Sequence, residues 1–258
     1  MDYTNVLVDK REKIGFITLN RPQAMNTFNV PFAQELNEAL REMEGDPEIR
    51  VVVIDANGKH FSVGISLDEF KNKSNEEYRK FICLMDEHNH TIAKMKKPVI
   101  ASVKGYALAN GAGLSFACDL TVAAEDAKFG TTAINVGLIC LGPAAPLARN
   151  VGLKKTLEMV LTGDMISAAE AQRLGLVNKV VPPDKLEEAT LELATKLAAK
   201  SPLALQAGKA GIYEMQNVAY LNALGMLSER FAGLCTTEDA EEGVRAFLEK
   251  RTPEWRER

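Results

Sequence analysis

Two glycine-bearing segments offer the clearest chemistry in this chain. Phe61-Ser62-Val63-Gly64-Ile65-Ser66-Leu67 follows the apolar run Val51 to Ile54. Gly105-Tyr106-Ala107-Leu108-Ala109-Asn110-Gly111-Ala112-Gly113 follows a second run, Pro98 to Val103. A strand that turns through glycine into a helix leaves backbone N–H groups unpaired at the helix foot. Two such groups that converge can hold a negative charge developing on oxygen, helped by the helix dipole and by exclusion of water. Spacing alone favours a plainer account, in which both are tight turns where helices pack on a sheet.

Other familiar chemistries are missing. Gly111-Ala112-Gly113 continues with Leu114, Ser115 and Phe116, so the third glycine of a dinucleotide fingerprint is absent. Lys59 follows Gly58 without the earlier glycine of a phosphate-binding loop, and no G-x-S-x-G elbow presents a serine nucleophile. His88-Asn89-His90 suggests a metal for a moment, but helical positions two apart face different sides, and a solvated helix face is expected. Asp68 and Glu69 fit a solvated helix start, and Glu125 and Asp126 an exposed turn. Asn135 could orient a water. Cys140 could act only with a depressed pKa, and no basic neighbour supplies one, so a buried inert thiol is expected. No metal ligand set and no proton-transfer residue emerges.

The elements that must position these turns follow from periodicity. Asn5 to Val8 and Ile14 to Leu19 read as a hairpin, and Asn29 with Pro31 opens a helix along Phe32, Leu36, Leu40 and Met43. Val51 to Ile54, Pro98 to Val103 and Leu120 to Ala124 are apolar runs of strands buried on both faces. Ser74-Asn75-Glu76-Glu77 and Ser167-Ala168-Ala169-Glu170 read as capping boxes, and Leu176 to Val181 as a short strand before Pro182-Pro183. Beyond Ser201-Pro202 only helical periodicity remains, apolar on more than one side, which calls for partners on each. Strands fill the first two-thirds and helices the last fifth. The pattern is α/β, with a strand-bearing core over 1–198 and a helical region over 199–258.

The chain has 258 residues, 46% apolar and 26% charged, with a formal net charge of -4. That places it among soluble globular proteins and argues against a nucleic-acid surface, which needs clustered Lys and Arg. Its four cysteines lack CxxC spacing, which suggests a reducing, cytoplasmic setting. The opening Met1-Asp2-Tyr3-Thr4 has no basic n-region and no apolar h-region, so secretion is not expected. Phe129 to Ala148 is uncharged, but its glycines and prolines argue against a membrane span and for a buried, polar-lined loop and short helix.

Asn20-Arg21-Pro22-Gln23-Ala24-Met25-Asn26 resembles the NRP-x-x-x-N opening of the crotonase (enoyl-CoA hydratase/isomerase) superfamily. The two glycine turns resemble its F-S-x-G-x-D-L and G-x-A-x-G-G-G segments. Cys118-Asp119 with Ala127-Lys128-Phe129-Gly130, then Leu161-Thr162-Gly163 through Val180-Val181, then Glu242-Gly243 through Lys250-Arg251, resemble later stretches in order. Asn135-Val136-Gly137-Leu138, Cys140 and the Pro253-Glu254-Trp255 tail most resemble the branch called enoyl-CoA hydratase domain-containing proteins.

The resemblance implies a spiral of ββα turns with a helical C-terminal oligomerisation region, assembled as a homotrimer or a dimer of trimers. It implies an acyl-CoA thioester as substrate, with no further cofactor, and a place in fatty acid metabolism. By position, the amides of Ile65 and Asn110 would hold the thioester oxygen. Ala24, Val63 and Ser66 would join them along the CoA path, and Phe231 and Lys250 would approach the nucleotide end. Asn110 stands where the family has glycine, as a residue that tolerates a left-handed backbone. The two glutamates that activate water in the family's hydratases would fall at Gly113 and Ala133, and Ser66 replaces an aspartate. Neither Gly113 nor Ala133 can move a proton. The enolate-stabilising half of the machinery is therefore expected without the usual water-activating half. A catalytically silent acyl-CoA binder is the alternative.

Overall fold

The computed structural model describes residues 3–258. Met1 and Asp2, the start of the opening read as free of a secretion signal, lie outside them. The hairpin forms as β1 (Val6–Arg11) and β2 (Ile14–Leu19), in register from Val6 opposite Leu19 to Arg11 opposite Ile14. The α1 helix (Val30–Gly45) starts where the Asn29 side chain accepts the Phe32 N–H, and it buries Phe32, Leu36, Leu40 and Met43.

From β3 onward the chain repeats one motif: a strand in a large sheet, a strand or bridge in a small one, then a helix. The first turn runs from β3 (Val51–Ala56) through an isolated bridge at Ser62 to α2 (Asn75–Lys94). The second is β4 (Val99–Val103), β5 (Tyr106–Leu108) and α3 (Asn110–Ala117). The third is β6 (Leu120–Ala124), β7 (Lys128–Gly130) and α4 (Leu141–Thr162). Next come β8 (Met165–Ser167), α5 (Ala168–Arg173) and β9 (Lys179–Val181). The large sheet has the order β1-β2-β3-β4-β6-β9, parallel except for the hairpin, and the small sheet the order β5-β7-β8. This is the expected ββα spiral. The Ser62–Ala107 bridge carries the small sheet into the first turn.

Alternation along β3 explains its unbroken apolar run. Val52 and Ile54 face the main core with α1, while Val51 and Val53 face a second core closed by Leu186, Ala189 and Ala194 of α6 (Leu186–Ala198). Three helices complete the chain: α7 (Pro202–Met215), α8 (Tyr220–Cys235) and α9 (Glu238–Glu249). The α7 helix is pinned to the core by Lys209, whose ammonium donates to Asp119 at 2.6 Å, and by Tyr213, whose hydroxyl donates to the other oxygen at 3.0 Å. Outward-facing Tyr220, Leu221, Phe231, Val244 and Phe247 are exposed on α8 and α9.

Four expectations need correction. The strand placed at Leu176 begins at Lys179, because Leu176 and Val177 turn inward to the main core. The Ser167 capping box is half formed: Ser167 accepts the Glu170 N–H, but the Glu170 carboxylate turns to Arg173. Val136, Ile139 and Leu141 are exposed, so the uncharged segment is not buried throughout. His88 is buried rather than solvated, because it completes the inward stripe Phe81, Met85, His88, Ile92 and meets the Phe28 ring at 5.5 Å. Only His90 faces outward. No helix among the described residues is long and apolar enough to cross a membrane.

Candidate active site

The loop from Arg21 to Phe28 fixes the first glycine turn. Asn26 is fully buried; its Oδ1 accepts the Arg21 N–H at 2.7 Å, and its Nδ2 donates to the carbonyls of Asn57 and His60 at 2.9 Å each. The Ser62 hydroxyl donates to the Asn26 carbonyl at 2.7 Å. The last residue of the NRP-x-x-x-N stretch thus clamps two loops together. The Val63 N–H donates to the carbonyl of Met25, the residue after Ala24, at 3.3 Å.

Phe28 forms a parallel bridge with Ile65. Its N–H donates to Gly64 and its carbonyl accepts from Ser66, both at 2.8 Å. In such a bridge the central residue turns its own N–H away from the partner strand. The Ile65 amide therefore points away from Phe28. Gly64 (φ +102) presses against the second turn: a Cβ there would lie 2.7 Å from the Ala109 Cβ and 3.5 Å from the Asn110 nitrogen. Asn110 is the first residue of α3, so its N–H has no acceptor within the helix. Just before it the Ala109 N–H donates to the Gly130 carbonyl, and three residues on the Gly113 N–H donates to the Ala109 carbonyl. The fold thus brings the two turns together, with neither the Ile65 nor the Asn110 amide donating to a protein acceptor among the described residues.

The left-handed backbone does not fall on Asn110. Ala109 takes it, at φ 47 and ψ -120, and Asn110 is helical. The Asn110 side chain is engaged on α2, where its Nδ2 donates to the Met85 carbonyl at 3.2 Å and to the Asp86 carboxylate at 3.0 Å. Asp86 carries no mark in the sequence that singles it out. A Cβ on Gly142, at the start of α4, would overlap both of its carboxylate oxygens, so glycine there makes room for the carboxylate. Burial pushes the Asp86 pKa up from 3.8 to about 6, against the opposing pull of Asn110 and, more weakly, His90.

Gly113 packs on α4, where a Cβ would lie 2.9 Å from the Pro143 Cγ. Any side chain at that position would need the Pro143 ring to shift. Ala133 sits half-buried in the 3-10 turn Thr132–Val136. Burial pushes the Cys140 thiol up, the opposite of activation. Asn135 is exposed and donates to the Gly163 carbonyl at 3.5 Å. Asp68 pairs with Lys71 at the surface, and Glu125 and Asp126 are exposed. Ser66 is half-buried, while Phe231 is exposed on α8 and Lys250 ends α9 in left-handed conformation, exposed. A cavity of about 670 Å³ lies at the opposite end of α3, among Phe116, Cys118, Pro146, Lys209 and Tyr213. Neither Ile65 nor Asn110 borders it. It follows the seam between α7 and the core. Among the described residues, no group of three His, Cys, Asp or Glu side chains gathers as a metal site requires.

Residues 9–258 match the family model of enoyl-CoA hydratase/isomerase. The chain is 38% identical to the 2,3-dehydroadipyl-CoA hydratase of Escherichia coli (strain K12), over 99% of this chain and 100% of that one. It is similar to the crystal structure of a Mycobacterium smegmatis enoyl-CoA hydratase, with a TM-score of 0.94, 39% identity, and 98% and 99% of the two chains covered. The human enoyl coenzyme A hydratase domain-containing protein 3 superposes with a TM-score of 0.94 at 33% identity, covering 98% of this chain and 100% of that one.

Proposed function

The chain belongs to the enoyl-CoA hydratase/isomerase family, and from that premise we propose that it holds the thioester carbonyl of an acyl-CoA on the amides of Ile65 and Asn110 and stabilises the enolate formed there. The observation that carries this reading is that the Ile65 and Asn110 amides, on turns that press together at Gly64, donate to no protein acceptor among the described residues. Donors placed in this way are worth roughly 2.7–4 kcal/mol each in a transition state. Ala24, Val63 and Ser66 line the CoA path. Phe231 and Lys250 approach the nucleotide end from a neighbouring subunit of a homotrimer or dimer of trimers, whose contacts would cover the exposed apolar face of α8 and α9. The substrate is a CoA thioester, and the reaction needs no further cofactor.

Gly113 and Ala133 lack the carboxylates that activate water, which is the observation favouring a silent acyl-CoA binder. Hydration of crotonyl-CoA, followed by absorbance, is expected to stay well below about 10 s⁻¹, an ordinary enzyme turnover. The oxyanion reading is tested by comparing the affinity of butyryl-CoA with that of S-butyl-CoA, a thioether without the carbonyl. Two buried N–H groups left unpaired should weaken thioether binding about tenfold or more. Equal affinities would overturn the placement of the carbonyl.

A further inference from the structure

We propose that the Asp86 carboxylate is the proton-transfer group of this site, removing a proton from the α-carbon of the bound thioester and returning it farther along the acyl chain. This rests on the oxyanion reading above. One residue, Asn110, carries both halves of the argument: its backbone N–H faces the thioester oxygen, and its side-chain amide grips Asp86 at 3.0 Å. The carboxylate is therefore tethered one side chain away from where the enolate would form. Gly142 supplies the space on its other side, since any side chain there would displace it. The other titratable groups around it are few. His90 lies on the same helix at the surface, Cys140 lies at the foot of α4 with its thiol held protonated by burial, and no Lys or Arg is among the groups that shift Asp86.

A single carboxylate is sufficient for an allylic shift. Asp86 takes the α-proton, and the C–H pair becomes the double bond of the enolate while the carbonyl pair moves to the oxygen held by the two amides. The enolate then collapses as the γ-carbon takes the same proton back, so the double bond moves from β,γ to α,β. Nothing is oxidised, no water is consumed and Asp86 ends as it began. Burial favours the protonated acid, so a group titrating near 6 can both accept and return a proton near neutral pH. The side chain of Asn110 is a positioning group, acting through Asp86.

The test uses but-3-enoyl-CoA in D₂O, following α-proton loss and conversion to crotonyl-CoA by NMR, with butyryl-CoA affinity measured by calorimetry on the same proteins. Asp86→Asn should bind butyryl-CoA within about threefold of the parent and lose a hundredfold or more of the rate of conversion to crotonyl-CoA. Asn110→Gly keeps the backbone N–H and removes the donor that lowers the Asp86 pKa. Its pH–rate profile should keep its shape, with the basic-form limb displaced upward from about 6. Conversion retained in Asp86→Asn, or a parent protein that binds but does not convert but-3-enoyl-CoA, would overturn the role of Asp86. Failure of the parent to bind butyryl-CoA would overturn the oxyanion reading itself, and the proposal with it.

Discussion

Replacing Asp86 by Asn should make the folded protein more stable at neutral pH while removing its proton chemistry. Burial raises the Asp86 pKa from 3.8 to about 6. Between those values the folded state binds more protons than the unfolded one, so stability falls as pH rises through the window. The whole penalty is about 3 kcal/mol, complete by pH 8, and about half of it is already present at pH 5. Asparagine keeps the shape and can still accept the Asn110 amide, so the hydrogen bond seen at 3.0 Å survives. The variant should gain up to about 3 kcal/mol at pH 8, or roughly 6 °C in midpoint for a chain of this size. The gain should shrink steadily on acidification and vanish below pH 4. Urea unfolding of both proteins at pH 8, 6 and 5 measures it. A variant equal to or less stable than the parent at pH 8, or a difference that does not shrink with acid, would refute the account of Asp86 as a carboxylate ionised against burial.

Three other perturbations follow from the same structure. His88→Leu should cost nothing at pH 8; burial has pushed the His88 pKa down from 6.5 to about 4, so the parent loses stability as pH falls through that window. The leucine variant should therefore gain about 2 kcal/mol on the parent by pH 5, and parallel stability–pH curves would contradict this. Lys209→Met leaves the Asp119 carboxylate without its cation in a site where the two side chains are only 6% and 14% exposed, and should cost about 3–5 kcal/mol with α7 loosening first in hydrogen exchange. A loss under about 1 kcal/mol would show that the pair is a bystander. Ala109→Gly relieves a non-glycine residue at φ 47 and should stabilise by about 1 kcal/mol, a gain absent if the turn relaxes without strain.

The helices and buried strands are legible because each carries a local signal. Asn29 and Ser74 cap as their positions require, and the unbroken apolar β3 is a strand with a core on either side. The two glycine turns are legible as a pattern, but whether they meet is a long-range fact that needs the Phe28–Ile65 and Ser62–Ala107 bridges. Asn110 shows the limit of reading a residue type. Asparagine tolerates a positive φ, yet the strain sits one residue earlier and the side chain reaches Asp86 instead. His88 escapes a sequence reading for a related reason. Two histidines separated by one residue face different sides of a helix, but only the full stripe from Phe81 to Ile92 says which side is inside.

Asp86 has no local signal at all. On α2 it is one acidic residue among several, next to the inward Met85, and its environment is made by Asn110 and Gly142, 24 and 56 positions away in the chain. The glycine that fits it and the glycine at 113 do opposite things. Gly142 opens space for a carboxylate, whereas Gly113 is held small by Pro143 and excludes one. Both effects come from how α4 begins, through Cys140, Gly142 and Pro143. Inserting glutamate at 113 without reshaping that segment would meet the Pro143 ring before reaching any substrate. A chain that begins α4 in this way can place a carboxylate on the site from α2 but not from α3. On the proposal made above, that difference would put proton transfer on α2 while the two amides stay on their turns.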